Sequence, residues 1–353
     1  QISAPAIHAA LADLLERTAG SAAWREAELT ELKEGIAKRT VAIGPQAALA
    51  QQEVNDYPSK PVTVVVPSEG TGVSEDVRVM IHSIERSHPG TSILIERRPG
   101  AAGTIGTTHV ARSRPDGYTL LMGVNGPLSI MPAIREQMPY DSTKDFAPVI
   151  LAARAPKLFV VHPSLPATTP LELVQFLKTK PAKVSYASAG FGTTGHLANE
   201  LFKLQGGVDM THVPYKGGGP AIADLVAGHV QVAMEVMPQL LPLVGSGKLR
   251  AIGITSTQRS PVVPNVPTIA ESGFPGFESY TWFGIVAPAG TPGPVIDRLN
   301  AEFEKVLLTS ELQKRLQELG AEYAKNTPAD FGGFMRAELE KWRKLVKAAN
   351  IKE

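Results

Sequence analysis

From Tyr57 onward, short apolar runs alternate with stretches whose apolar residues recur every three or four positions. The runs are VTVVVP (62–67), SILIER (92–97), YTLLMG (118–123), APVILAA (147–153) and LFVVHP (158–163), then KVSYAS (183–188), THVPY (211–215), VQVAMEV (230–236), LRAIGI (249–254) and FGIVAP (283–288). They are short and β-branched or apolar, as strands buried on both faces are. Helical spacing fills the intervals at 75–87, 170–179, 196–205 and 220–228, and again across 294–350. Thr309 and Thr327 are expected helix starts, and Gly320 an expected stop. Strands alternating with helices argue an α/β protein with mainly parallel sheets.

Residues 1–53 have a different pattern. Leu11, Leu14 and Leu15, then Leu29, Leu32 and Ile36, suggest two short helices broken at TAGSAA. This helical N-terminal extension is read as a packing appendage, with a partner-binding role as the alternative. The first residue is Gln1, so a processed or trimmed product is expected. Ala48 and Ala50 before Gln51 have the spacing of a signal-peptidase site, but the preceding KRTVAIGPQAA is a poor apolar core for a signal.

At 353 residues the chain is long enough for two domains with their own cores. A net charge of +1 with no basic block gives no reason to expect nucleic acid as a partner. The absence of cysteine excludes disulfides and thiolate chemistry. Apolar runs stay well below the roughly 20 residues that span a bilayer.

In open α/β sheets, ligands sit at the carboxyl ends of strands. That places PSEGTG, GVNGPLS, ASAGFGTTG, PYKGGGP and MEVMPQ around one crevice, and all are rich in residues that expose backbone or carry hydroxyls. Gly190, Gly192 and Gly195 complete a G-x-G-x-x-G after a strand and before a helix. A dinucleotide site also needs an acid at the end of the next strand, which here ends in Tyr215 and Lys216. An anion cradle of backbone amides and hydroxyls fits better. No P-loop, H-E-x-x-H or G-x-S-x-G motif occurs, so no cofactor, metal or hydrolase serine is expected. His196, directly after the glycine loop, is read as a capping or supporting residue. One ring of Tyr280, Trp282 or Phe283 could face the crevice.

The stretches YPSKPVTVVVP, RRPGAAGTIGTTHVARSRPDGYTLLMG, PYDSTKDFAPV, VSYASAGFGTTGHLANELF, HVPYKGGGPAIADLVAGHVQ, GKLRAIGITS, VPTIAESGFPGFES and WFGIVAPAGTP follow one another in a recognisable order. In them the chain resembles the solute receptors of tripartite tricarboxylate transporters, the Bug-type periplasmic receptors, from Tyr57 to its end.

The resemblance implies a type II periplasmic binding protein, two α/β domains closing on a hinge like a Venus flytrap. Domain 1 would comprise 54–154 plus 283–353 and domain 2 would comprise 155–282, with hinge crossings near 153–158 and 280–286. It implies a periplasmic, monomeric, non-enzymatic receptor for a small organic carboxylate, aromatic or dicarboxylate ligands being the candidates. Its partners would be the membrane permease subunits of such a transporter, or a sensor protein. The ligand would meet Ser68, Glu69, Gly70, Thr71 and Gly72, with Asn125 from the second loop. Ser188, Gly192, Thr193 and Thr194 would form the anion cradle and Glu235 an orienting acceptor.

The first loop departs from the family's usual P-F-x-P-G-G-x-x-D. Ser68 replaces the aromatic, Glu69 adds charge, and Glu75 stands where Asp is expected, as Glu235 does for a second Asp. An inward Glu69 would repel a carboxylate by a few kcal/mol. Either it faces solvent or the ligand offers it a hydroxyl, amine or amide. The alternative is an enzyme using Glu69 or Glu75 as general base.

Overall fold

The computed structural model describes residues 57–67, 92–179 and 184–352. Contacts divide the chain into two compact units, Gln1–Ser59 and Lys60–Glu353, and the second carries the sheet and its helices. The helices expected in 1–53 and at 75–87 lie outside the described residues. So do Ser68, Glu69, Gly70, Thr71, Gly72 and Glu75.

The strands are β1 (Val62–Val66), β2 (Ile93–Arg97), β3 (Thr119–Val124), β4 (Phe146–Val161), β5 (Ser185–Ser188), β6 (Thr211–Pro214), β7 (Val232–Val236), β8 (Arg250–Ile254) and β9 (Tyr280–Pro288). They form one sheet in the order β2-β1-β3-β9-β4-β7-β5-β6, with β8 also on β4. The outer strands pair in parallel: β1 with β2 and β3, and β5 with β6 and β7. The parallel sheets expected from sequence are therefore the flanks. Around β4 and β9 every pairing is antiparallel, because these two strands carry the chain across between the flanks.

APVILAA and LFVVHP, expected as two strands, are two parts of β4, which is 16 residues long. From Phe146 to Pro156 it pairs with β9, and from Lys157 onward with β7 and β8. Pro156, which has no N–H to give a ladder, occupies the changeover. Past it, alternate side chains serve opposite faces: Phe159 and Val161 join Tyr186, Phe202 and Met234, while Leu158 and Val160 join Ala187, Leu225 and Leu240.

The helices that position the crevice are α1 (Thr104–Ala111), α2 (Met131–Ile134), α3 (Pro170–Thr179), α4 (Thr194–Gly206), α5 (Gly218–Val226) and α6 (Met237–Gly245). The C-terminal helices α7 (Gly293–Leu307), α8 (Ser310–Glu318) and α9 (Pro328–Ala348) start where the sequence suggests: Thr309 caps α8, and Thr327 forms a reciprocal capping box with Asp330 on α9. Phe331 and Met335 of α9 pack with Val65, Leu121, Trp282 and Val286. Further along, Trp342 and Leu345 meet Ile130 and Leu197, so α9 touches both flanks of the sheet. Among the described residues no helix is long and apolar enough to cross a membrane.

Candidate functional site

Three strand ends converge on the first flank. A Cβ at Gly106 would stand 2.7 Å from Arg98 O and 3.2 Å from Pro67 Cα, and one at Gly103 would stand 3.1 Å from Pro127 Cγ. Glycine is thus what lets α1 approach both the end of β1 and the turn after β3. Ala101 and Ala102, which precede this helix, hold left-handed φ values of 48° and 55°.

Asn125, expected to face a ligand, has its side chain committed elsewhere. Its Oδ1 accepts from Trp282 N at 2.7 Å, and its Nδ2 donates to Tyr280 O at 3.0 Å and lies 3.5 Å from Glu338 Oε2. The amide therefore extends the ladder between the end of β3 and β9. The carboxamide therefore serves the framework, with both of its N–H directions taken up by Tyr280 O and Glu338. The same Glu338 Oε2 accepts from the indole N–H groups of Trp282 and Trp342 at 3.1 and 3.2 Å.

On the second flank, Ser188 ends β5 and anchors the glycine loop. Its hydroxyl donates to Gly190 O at 3.0 Å, accepts from Gly190 N at 3.2 Å and is hydrogen-bonded with His212 Nε2 at 2.7 Å. Thr193 is the N-cap of α4, taking the His196 N–H at 3.4 Å and donating to Gly190 O at 2.8 Å. His196 Nδ1 accepts the Gly192 N–H at 3.2 Å. Ser188 and Thr193 therefore shape the cradle rather than offer it free hydroxyls, and His196 supports it. The rings of Tyr186, His212 and His196 stack behind the loop, the two imidazoles 4.1 Å apart.

Among the described residues, Lys157, Thr194 and Glu235 are buried side chains at this end with hydrogen-bonding capacity left. Glu235, at the end of β7, is 5% exposed, and Lys157, at the start of β4's second part, is 4% exposed. Lys157 Nζ and Glu235 Oε2 lie 3.7 Å apart, an ion pair too long for a hydrogen bond. Neither group, nor the buried Thr194 hydroxyl, makes a side-chain hydrogen bond among the described residues. Glu235 sits where two helices begin. A Cβ at Gly195 of α4 would be 3.1 Å from its Oε1, and one at Gly218 of α5 would be 3.9 Å from its Oε2. Two helix N-termini and one ammonium therefore lie close to this carboxylate. At 3.7 Å the pair attracts by about 4 kcal/mol at an effective dielectric of about 20. Desolvation of both groups offsets much of that.

Sequence reasoning misses Lys157. The signal it offers is a cation embedded in the apolar pattern of a 16-residue strand. Thr194 and Glu235 both adjoin Gly195, whereas a Cβ at Gly192 would meet Met131 Sδ of α2 at 3.0 Å. Of the expected rings, Trp282 is fully buried, and Tyr280 turns to another cavity of about 760 Å³ with Arg154 and Tyr323. There Arg154 stacks on the Tyr280 ring at 4.8 Å and pairs with Glu322 at 2.7 Å.

Residues 77–351 match the model of the tripartite tricarboxylate transporter family receptor. The chain is similar to a UPF0065 protein from the tcbD-tcbE intergenic region of a Pseudomonas species, at 36% identity over 88% of this chain and 94% of that one. Among solved structures, an R. palustris protein with adipate superposes with a TM-score of 0.74 at 36% identity, covering 84% of this chain and 99% of the other. The periplasmic binding protein BugD gives 0.71 at 33% identity, covering 84% and 99%. MatC from Rhodopseudomonas palustris with bound malate gives 0.71 at 33% identity, covering 82% and 100%. The two-flanked α/β sheet is accordingly that of a type II periplasmic binding protein, and the chain belongs to the tripartite tricarboxylate transporter receptor family.

Proposed function

We propose that this protein is a periplasmic, non-enzymatic receptor that captures a small organic carboxylate between two lobes and hands it to a membrane transporter. The lobes are 54–154 with 283–353, and 155–282, hinged where β4 changes partners at Pro156 and where Ser279 N–H donates to Thr255 O. The observation that carries the reading is the unused polar capacity of Lys157, Thr194 and Glu235 beside the starts of α4 and α5. Adipate in one neighbour and malate in another support a carboxylate as the ligand class, and the family's description supports a receptor role.

The test is a thermal-shift screen followed by calorimetry across mono- and dicarboxylates, aliphatic and aromatic. At 100 times its dissociation constant a true ligand adds about 2.7 kcal/mol of stability. The reading fails if no carboxylate stabilises the protein while a neutral or cationic class does. Recovery of the bound carboxylate unchanged after prolonged incubation supports the non-enzymatic part, and turnover overturns it.

A further inference from the structure

We propose that the cavity of about 760 Å³ beside Arg154 and Tyr280 is a second binding site, which takes a small organic phosphate. The phosphate sits on Arg154 and Lys314 of one lobe, and the organic part lies against Pro261 and Val262 of the other. None of the residues that line this cavity belongs to the crevice loops, so the inference goes beyond the carboxylate-receptor reading and takes from it only the two lobes.

The cavity walls come from distant parts of the chain. Residues 256–262, after β8, form one wall, and α8 with residues 320–323 forms the other. Between them lie Pro156 and Tyr280, where β4 and β9 cross from lobe to lobe. Tyr280 OH accepts the Thr257 N–H at 3.1 Å, which ties the first wall to β9. Glu322 N–H donates to Arg154 O at 2.9 Å, which ties the second wall to β4.

The charges of the lining select the ligand class. Arg154, Arg259 and Lys314 are cationic, and Glu322 is the one carboxylate among the described lining residues. Glu322 takes only the Nε side of Arg154, at 2.7 Å. The guanidinium lies 4.8 Å from the centre of the Tyr280 ring, which orients it, and its two terminal nitrogens make no hydrogen bond to a described residue. That leaves a fork of N–H donors, the geometry that grips two oxygens of one oxyanion. Lys314 makes no ion pair among the described residues, while Arg259 is engaged by Glu271 at 3.1 Å and adds mainly its field. A phosphate can give two oxygens to the Arg154 fork and its third to Lys314, whereas a single carboxylate spends both oxygens on the fork. Pro261, Val262 and the exposed Leu308 supply an apolar strip beside these cations. The volume is in the range of sites that hold small organic ligands, so a group carried on the phosphate has room against that strip.

The test is calorimetry on the full chain at fixed pH and salt with phenyl phosphate and inorganic phosphate, followed by amide hydrogen exchange. Phenyl phosphate is expected to bind one to one, at least tenfold more tightly than inorganic phosphate. Arg154→Gln should weaken it at least tenfold and Lys314→Gln at least threefold. Bound phenyl phosphate should slow exchange in residues 256–262 and in α8 together, because it touches both walls. Wild-type binding and exchange decide even if a variant does not fold. The inference is overturned by absence of phenyl phosphate binding, by unchanged affinity in folded Arg154→Gln, or by protection confined to the crevice loop at 189–196. Equal affinity for inorganic phosphate overturns it too, since the organic part would then have no wall. The carboxylate screen stands or fails by its own result, so the two failures are distinguishable.

Discussion

The Ser188 hydroxyl and His212 Nε2 lie 2.7 Å apart, so a side chain of β6 holds the loop that follows β5. His196 holds the same loop by accepting the Gly192 N–H, which only an unprotonated Nδ1 can do. Burial is the largest cause that lowers His196 to about 3, helped by the nearby His212 and Lys203. Burial also lowers His212 to about 4, against the pull of Glu200 and with a further push from Lys203. Tyr186, hydrogen-bonded to Glu200, and Asp209, paired with Lys203, complete the charged and titratable surroundings.

Both rings are thus neutral in the fold but take up protons near pH 6.5 once unfolded. Their contribution to stability is complete above about pH 6.5 and is lost as pH falls toward about 4 and then 3. The expected slope is on the order of 1–2 kcal/mol per pH unit across that window, discounted because His212 is partly exposed. Urea midpoints at pH 7.5, 6 and 5 would measure it. A His212→Asn variant should flatten the slope; an unchanged slope would remove His212 from the account.

Glu338 gathers both buried indole N–H groups and lies beside the Asn125 amide, so Glu338→Leu would strand donors inside the core. A loss of about 3–5 kcal/mol is expected, read as a lower urea midpoint at unchanged denaturant slope. Glu338→Gln, which keeps an acceptor oxygen, should lose clearly less.

At Gly195 the helix backbone lies against β7, and a Cβ would come 2.8 Å from Met234 O and 3.1 Å from Glu235 Oε1. Alanine is ordinarily the better helix former by about 1 kcal/mol. Here overpacking of about 1–3 kcal/mol outweighs that gain. Gly195→Ala should both lower the melting temperature and weaken ligand binding. Full affinity in the variant would show that Glu235 need not hold its place.

Thr327 accepts the Asp330 N–H at 3.1 Å while the Asp330 carboxylate accepts the Thr327 N–H at 2.9 Å. Thr327→Ala should cost about 1 kcal/mol of stability. Ligand affinity should stay within twofold, because the cap lies at the start of α9 and touches none of the crevice groups. A large affinity change would reveal that α9 takes part in closure.

Elements defined by local chemistry were legible. Thr309 and Thr327 mark helix starts because a hydroxyl before an amphipathic run satisfies the first free N–H groups wherever that run packs. The glycine loop after β5 was legible for a similar reason: positive φ at Gly190 and Gly192 favours glycine in any context. Less was legible where a partner far along the chain decides. The bonds of the Asn125 amide are invisible in the sequence because their partners lie 155 and 157 positions away. The two apolar runs around ARAPK looked like two strands because a change of pairing partner at Pro156 leaves no mark on periodicity.

By itself the sequence determined the alternation of strands and helices, the caps, the glycine loops and the family, since each depends on residues close together or on their order. Only the tertiary structure decided which polar groups are already satisfied. Hydrogen bonds join residues by proximity in space, so only the folded chain shows that Ser188, Thr193 and Asn125 are bound to their own protein, and that Lys157 and Glu235 stand buried together as an ion pair with no side-chain hydrogen bond to a described residue.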